Sequence, residues 1–178
     1  LALAACGNRE PQERAAFIQL LQSRMNSASL APIGALSEQE KEAVGGYADA
    51  YGVIAGFQES MAQAASAMSG VLAVESIHSV AEIVERKARF EAARKTLAEQ
   101  AARLKQAQAK ADQARAALAL PADLAPVYDG VYDEAVTAPA AELMDTASNM
   151  DAVARDALGI ADFVVAHAQD IQLVEIGR

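Results

Sequence analysis

Apolar residues recur at helical spacing along most of the chain. Phe17, Leu20, Leu21 and Met25 share one stripe of "EPQERAAFIQLLQSRM", which predicts a first helix with Pro11 near its start. "NSASLAPIGAL" is dense in turn residues and reads as a loop. Ser37-Glu38-Gln39-Glu40 then fits a capping box, the serine hydroxyl taking an early backbone N–H and Glu40 reaching back to the cap. From there a second helix is predicted to about Met68, with Val44, Tyr47, Tyr51, Ile54, Met61 and Met68 three, four or seven apart. Gly45, Gly46, Gly52 and Gly56 interrupt it at a cost of ~1 kcal/mol each against alanine, and read as places of close helix crossing.

The stretch "SGVLAVESIHS", around residues 70–78, reads as a bend, a short strand or a hinge. Ser79-x-x-Glu82 is a second capping box and opens the longest predicted element, residues 79–119, about 60 Å at 1.5 Å per residue. Within it Ile83, Phe90, Leu97, Leu104, Ala111 and Leu118 repeat every seven residues, and Ala93, Ala107 and Ala114 fill a second seam. That is a narrow coiled-coil-like stripe suited to tight antiparallel packing. Pro121 and Pro126 bracket a turn, "LAPVYDGVYDEAV" predicts a short helix, and Thr137-Ala138-Pro139 predicts the start of a last one through about His167. Its stripe is Leu143, Met144, Ala147, Met150, Ala154, Leu158, Ala161 and Val165, and residues 171–177 read as a short strand. The fold class expected is mainly α: an elongated antiparallel bundle of four to five helices, one of about 40 residues. Residues 1–10 read as a signal-peptide remnant and tether, and 11–178 as one helical domain with its C-terminus truncated.

Composition changes the picture of the core. The chain is 53% hydrophobic, but 44 of its 178 residues are alanine and only 4% are aromatic. Alanine favours helix and buries little area, so closely packed helices around a thin core are expected. A net charge of −9 argues against nucleic acid, whose phosphates need a basic face. One cysteine allows neither an intrachain disulfide nor a Cys/His metal cluster, and no run reaches the roughly 18 apolar residues of a spanning helix.

Charge is segregated. Residues 79–119 hold nine bases (Arg86, Lys87, Arg89, Arg94, Lys95, Arg103, Lys105, Lys110 and Arg115) against five acids, whereas 120–170 hold ten acids and only Arg155 as a base. This pattern suits complementary faces on neighbouring helices, or a basic face for anionic lipid headgroups or an acidic partner.

The single cysteine has two readings: a free thiol near the chain start, or the acceptor of a lipid anchor. Leu3-Ala4-Ala5-Cys6 resembles the Leu-small-small-Cys pattern read by the bacterial lipoprotein signal peptidase, and polar Gly7-Asn8-Arg9-Glu10 follows as a tether should. Each buried acyl CH₂ contributes about 0.8 kcal/mol, so a multiply acylated Cys6 would hold the chain on a membrane. Gly7 stands where an Asp would act as an inner-membrane retention signal, which favours the outer membrane.

"QERAAFIQLLQ", "LSEQEKEAVGGYADAYGVIAGF" and "LAPVYDGVYDEAVTAPAAEL" together resemble, in order and spacing, the YiaF-like family of Gram-negative lipoproteins, a domain of unknown function. The resemblance implies a lipobox at Cys6 and a chain that continues beyond residue 178. It brings no catalytic residue, because the family has none assigned.

Chemistry-bearing residues are few. Glu75-x-x-His78 has metal-pair spacing but no matching second motif, and His167 stands near Asp170 without further partners. No nucleophile elbow and no phosphate-cradling glycine loop occurs, so no metal or cofactor is expected. Tyr47/Tyr51 and Tyr128/Tyr132 are i, i+4 pairs, read as core packing or as the lining of a groove or interface. Asp129, Asp133 and Glu134 read as a solvated acidic face rather than a cation site.

The function expected is therefore non-enzymatic: a periplasm-facing lipoprotein attached to the membrane through Cys6 that adapts to or organises another envelope protein. The alternative is a carrier for a small apolar ligand or peptide, which needs a cavity of about 300 Å³ or more. An adaptor should instead show a filled interior and exposed apolar surface. An enzyme would need His78 or His167 in a cleft with a carboxylate.

Overall fold

The computed structural model describes residues 9–27, 33–72 and 77–171, and every regular element among them is helical. α1 spans Glu10–Ser27, with acids in its first turn and Arg24 in its last, the signs that the helix dipole favours. α2, Glu38–Val44, starts at the predicted capping box. Ser37 Oγ accepts from the Glu40 N–H at 3.3 Å, and the Ser37 N–H donates to Glu40 Oε2 at 2.8 Å. Gly45 ends it at φ +52°, a backbone conformation that favours glycine, and the flexible end of Glu13 occupies the place of a Cβ. Gly46, Gly52 and Gly56 have nothing within 4 Å of a notional Cβ and lie exposed. The close crossing expected at those three does not occur.

A 3₁₀ turn, Gly45–Tyr47, leads into α3, Ala48–Leu72. Of the stretch at 70–78, Gly70–Leu72 thus belong to a helix and 77–79 have no regular structure. Residues 73–76, and the strand expected at 172–177, lie outside the described residues. α4 is Val80–Glu85, capped by Ser79 Oγ on the Glu82 N–H at 3.2 Å. The returning Glu82 carboxylate takes the N–H of His78 at 3.0 Å, one residue earlier than in a complete box.

The predicted 79–119 helix is broken once. Arg86 leaves helical geometry at φ −93°, ψ 9°, and its carbonyl accepts from Arg89 N and Phe90 N to start α5, Lys87–Ala116. The middle of the seven-residue seam survives: Phe90, Leu97, Leu104 and Ala111 are buried, whereas Ile83, on α4, and Leu118, beyond the end of α5, are only partly so.

α6, Ala125–Tyr132, and α7, Ala138–Ala166, were expected as separate helices with a start at Pro139. They run on as 42 helical residues through a five-residue π turn, Asp133–Thr137. The reason is local. A proline inside a helix donates no N–H and crowds the carbonyl four residues back, here Ala135. The helix widens instead of stopping: the Ala138 N–H donates to Asp133 O, and the Ala135 carbonyl finds a donor on another helix.

The chain divides into two compact units. Unit 1 comprises Leu1–Ala62 and Gln106–Ala140, and unit 2 comprises Gln63–Lys105 and Ala141–Arg178. Unit 1 buries Phe17, Leu21, Val44, Tyr51, Ile54, Leu124, Tyr128, Tyr132 and Val136 almost completely. Unit 2 is thinner. Met68 and Leu97 pack on Ala147, and Phe90 packs on Ala154 and Ala157, with Val71, Ile83, Leu143, Met150 and Leu158 partly buried around them. No helix among the described residues is long and apolar enough to cross a membrane.

Candidate functional site

All four tyrosines fall in unit 1, where they form its core rather than line a groove. Phe17 stacks on Tyr47 and Tyr128 at centroid distances of 5.4 and 6.3 Å, and Tyr132 adjoins Tyr128 at 6.3 Å. Every hydroxyl is engaged. Tyr51 donates toward the Ile33 and Gly34 carbonyls, Tyr128 to Ala50 O at 2.8 Å, Tyr132 to Asp112 Oδ1 at 2.7 Å, and Tyr47 to Glu10 Oε1. Burial, then the Glu10 carboxylate, pushes the Tyr47 phenol from 10.0 up to about 12. Burial pushes Tyr128 and Tyr132 higher still, the Asp112 carboxylate adding to the effect at Tyr132. Phenols so raised stay protonated at ordinary pH and serve here as buried hydrogen-bond donors.

One buried polar residue escaped the sequence reading. Gln58, on α3, accepts from the Ile33 N–H at 2.7 Å through Oε1 and donates to Ala135 O at 3.3 Å through Nε2. It thereby satisfies a loop donor and the carbonyl released by Pro139. The signal was available: a proline at 139 orphans the carbonyl of 135, and a buried orphan needs a donor from elsewhere.

The charged faces are complementary within each unit. In unit 2, Arg94 Nε lies 2.7 Å from Asp151 Oδ1, holding that carboxyl below its usual range, and Lys87 Nζ lies 2.6 Å from Asp162 Oδ1. In unit 1, Arg115 sits 2.7 Å from Asp129 and 3.8 Å from Asp133, with its guanidinium 4.5 Å from the centre of the Tyr132 ring. Two of the three acids at 129–134, Asp129 and Asp133, are therefore answered by an arginine. Not every base is so engaged. Arg9, Arg89, Lys95, Arg103, Lys105 and Lys110 make no ion pair with a described residue.

His78 and His167 are both exposed. The His78 backbone serves the α4 cap, and His167 stacks on Phe163 at 4.3 Å with Nδ1 2.8 Å from Phe163 O. Glu75 and Cys6 lie outside the described residues. No group of three or more potential metal ligands occurs among the described residues. Unit 2 has a cleft of about 220 Å³, lined by Val71, Arg86, Arg89, Phe90, Ala93 and Thr96 among others, and no tyrosine borders it.

Unit 2 also exposes apolar side chains on α7. Val153, Ile160 and Phe163 are 68%, 43% and 58% exposed, and their spacing of seven and three puts them on one stripe flanking the buried alanines. Val165, expected in the core stripe, is 58% exposed as well, one residue before the helix ends. The stripe was missed because the alanine seam at 147, 154 and 161 already accounted for a core face.

No solved structure matches the chain. Curated relatives do: the uncharacterized protein YiaF of Escherichia coli K12, of Escherichia coli O157:H7 and of Shigella flexneri. Each is 26% identical over 180 residues, covering 99% of this chain and 75% of the relative. The family profile described as "Protein of unknown function (DUF3053)" matches residues 1–177. With a match of that extent, the chain belongs to the DUF3053 family, whose function is unknown.

Proposed function

We propose that this protein is an envelope lipoprotein, acylated at Cys6, held at the periplasmic leaflet of the outer membrane, and non-enzymatic. Its helical body presents an interaction surface to another envelope protein. The observation that carries the interaction role is the exposed stripe of Val153, Ile160 and Phe163 on α7. Apolar side chains at that spacing form the anchors by which one amphipathic helix seats against another. Asp156, on the same stripe, favours a partner helix with a flanking base. The anchor is supported by Leu3-Ala4-Ala5-Cys6 and the polar stretch after it. A carrier is less well supported, because the cleft falls below the roughly 300–1,000 Å³ of small-molecule sites.

Two measurements test this reading. Cys6→Ser should move the protein from the membrane to the soluble fraction with its helicity intact, and unchanged fractionation would defeat the anchor. A photocrosslinking residue at Ile160 should give a discrete adduct in intact envelopes that the same residue at exposed Arg155, about 140° around the helix, does not. Identical patterns from both positions would remove the α7 stripe from consideration.

A further inference from the structure

We infer that the outward face of α5 in unit 2 is a second membrane contact: a docking surface for an anionic phospholipid bilayer, formed by Arg89, Lys95, Arg103 and Lys105. This deepens the anchored-lipoprotein reading and rests on it, since the tether is what brings a bilayer within reach. α5 turns Phe90, Leu97 and Leu104 into the core. At about 100° per residue Lys95 falls nearly opposite that seam, Arg89 and Arg103 on one flank, and Lys105 on the other, in line with Lys87 but about five turns further along. All four are exposed, and they span about 24 Å of helix at 1.5 Å per residue.

In a chain with 24 acids against 15 bases, unpaired cations gathered on one face need a reason. Lys87 and Arg94, on the Lys105 flank of α5, are matched by Asp162 and Asp151, so pairing was available to bases on that flank. The four outward bases make no ion pair with a described residue. Two acids share the outward side: Glu91, 4.0 Å from Lys87, and Glu99, which opposes the proposed contact.

The shape of the face selects the partner. Ala88, Ala92, Ala98 and Ala102 are exposed between the bases, and no aromatic residue stands among them. A protein interface is normally anchored by large exposed side chains, aromatic above all; this face exposes no aromatic residue, and the cleft it borders at Arg89 and Ala92 lies at its edge. Long, flexible basic stems rising from a floor of alanine suit a planar array of phosphates that demands no fixed register. The overall charge of −9 does not forbid it, because at physiological ionic strength charges beyond about 8 Å from the headgroups are largely screened.

The test uses the full chain carrying Cys6→Ser, so that no acyl group contributes, in co-sedimentation with phosphatidylcholine vesicles with and without phosphatidylglycerol. Binding is expected only with phosphatidylglycerol, falling as salt is raised. Each basic charge near the surface is worth about fivefold in binding, so Lys95→Glu, Arg103→Glu and Lys105→Glu together should abolish it, a loss beyond about a hundredfold. Glu99→Gln should tighten it severalfold, an outcome that a folding defect would not produce. Lys41→Glu, an exposed reversal in unit 1, should leave it nearly unchanged. Absence of phosphatidylglycerol-dependent binding, or equal loss from Lys41→Glu, would overturn the inference. So would a triple variant that binds vesicles normally but loses an acidic protein. The assay is blind to acylation and the fractionation of Cys6→Ser is blind to α5, so the two readings can fail separately.

Discussion

Units 1 and 2 use the same helical periodicity to build two different interiors. In unit 1 the seams carry phenylalanine, tyrosine, leucine and isoleucine, and each tyrosine hydroxyl is tied to a carbonyl or carboxylate. In unit 2 the facing positions on α7 are Ala147, Ala154, Ala157 and Ala161, so Met68, Phe90 and Leu97 supply most of the bulk. Apolar area scales with side-chain size, and directed hydroxyl bonds add specificity to burial. Unit 1 is therefore the stable, uniquely packed part. Unit 2 holds less in its interior and leaves more on its surface: the α7 stripe, the cleft and the basic face of α5 all belong to it.

The largest test of that contrast is a paired truncation. Phe17→Ala removes a ring stacked between two tyrosines and should cost about 3–5 kcal/mol in denaturant unfolding, whereas Leu97→Ala in unit 2 should fall near the lower end of the usual range, about 2 kcal/mol. Equal losses would erase the distinction. Next in size is Gln58→Leu, which strands the Ile33 N–H and the Ala135 carbonyl together and should cost about 2–4 kcal/mol by the same measurement.

Alkali offers a reporter confined to unit 1. The only four tyrosines lie there, and the Tyr47 phenol is raised from 10.0 to about 12 in the folded protein. A raised acidity constant means that the folded state holds its proton longer than the unfolded one. Stability is then fully present below pH 10 and is lost as pH rises from there toward 12. Tyrosinate absorbance should stay low through pH 11 and rise together with loss of helicity. A gradual rise centred near 10 with intact helices would show exposed phenols. The smallest effect is expected from Arg94→Ala, under about 1 kcal/mol, since its pair with Asp151 is part-exposed and screened.

Much of this fold was legible in the sequence, because repetition and capping are local. The Phe90–Leu97–Leu104–Ala111 seam and the Ser37 box need only spacing and a short side chain, and both stand as read. What was not legible depended on two distant segments at once. Pro139 marks a helix start in isolation, but here the Ala135 carbonyl is answered from α3, 77 residues earlier, so the helix continues. The break at Arg86 has neither glycine nor proline to announce it. The tyrosine pairs were seen, but their hydroxyl partners, which separate a core from a groove, come from α1, α3, α5 and the loop at 33–34. The cysteine's local pattern was readable without any structure, whereas the unpaired bases of α5 acquired meaning only when their neighbours had chosen other partners.

The amide at position 58 also ties the history of this chain to the proline at 139, through the carbonyl of Ala135. Restoring an ordinary backbone donor at 139 would return the Ala135 carbonyl to its own helix and leave the Gln58 amide nitrogen idle, so each change is costly alone and milder once the other has occurred. Glutamine at 58 and proline at 139 should accordingly be kept or lost as a couple among homologues, a dependency carried by a backbone oxygen that belongs to neither.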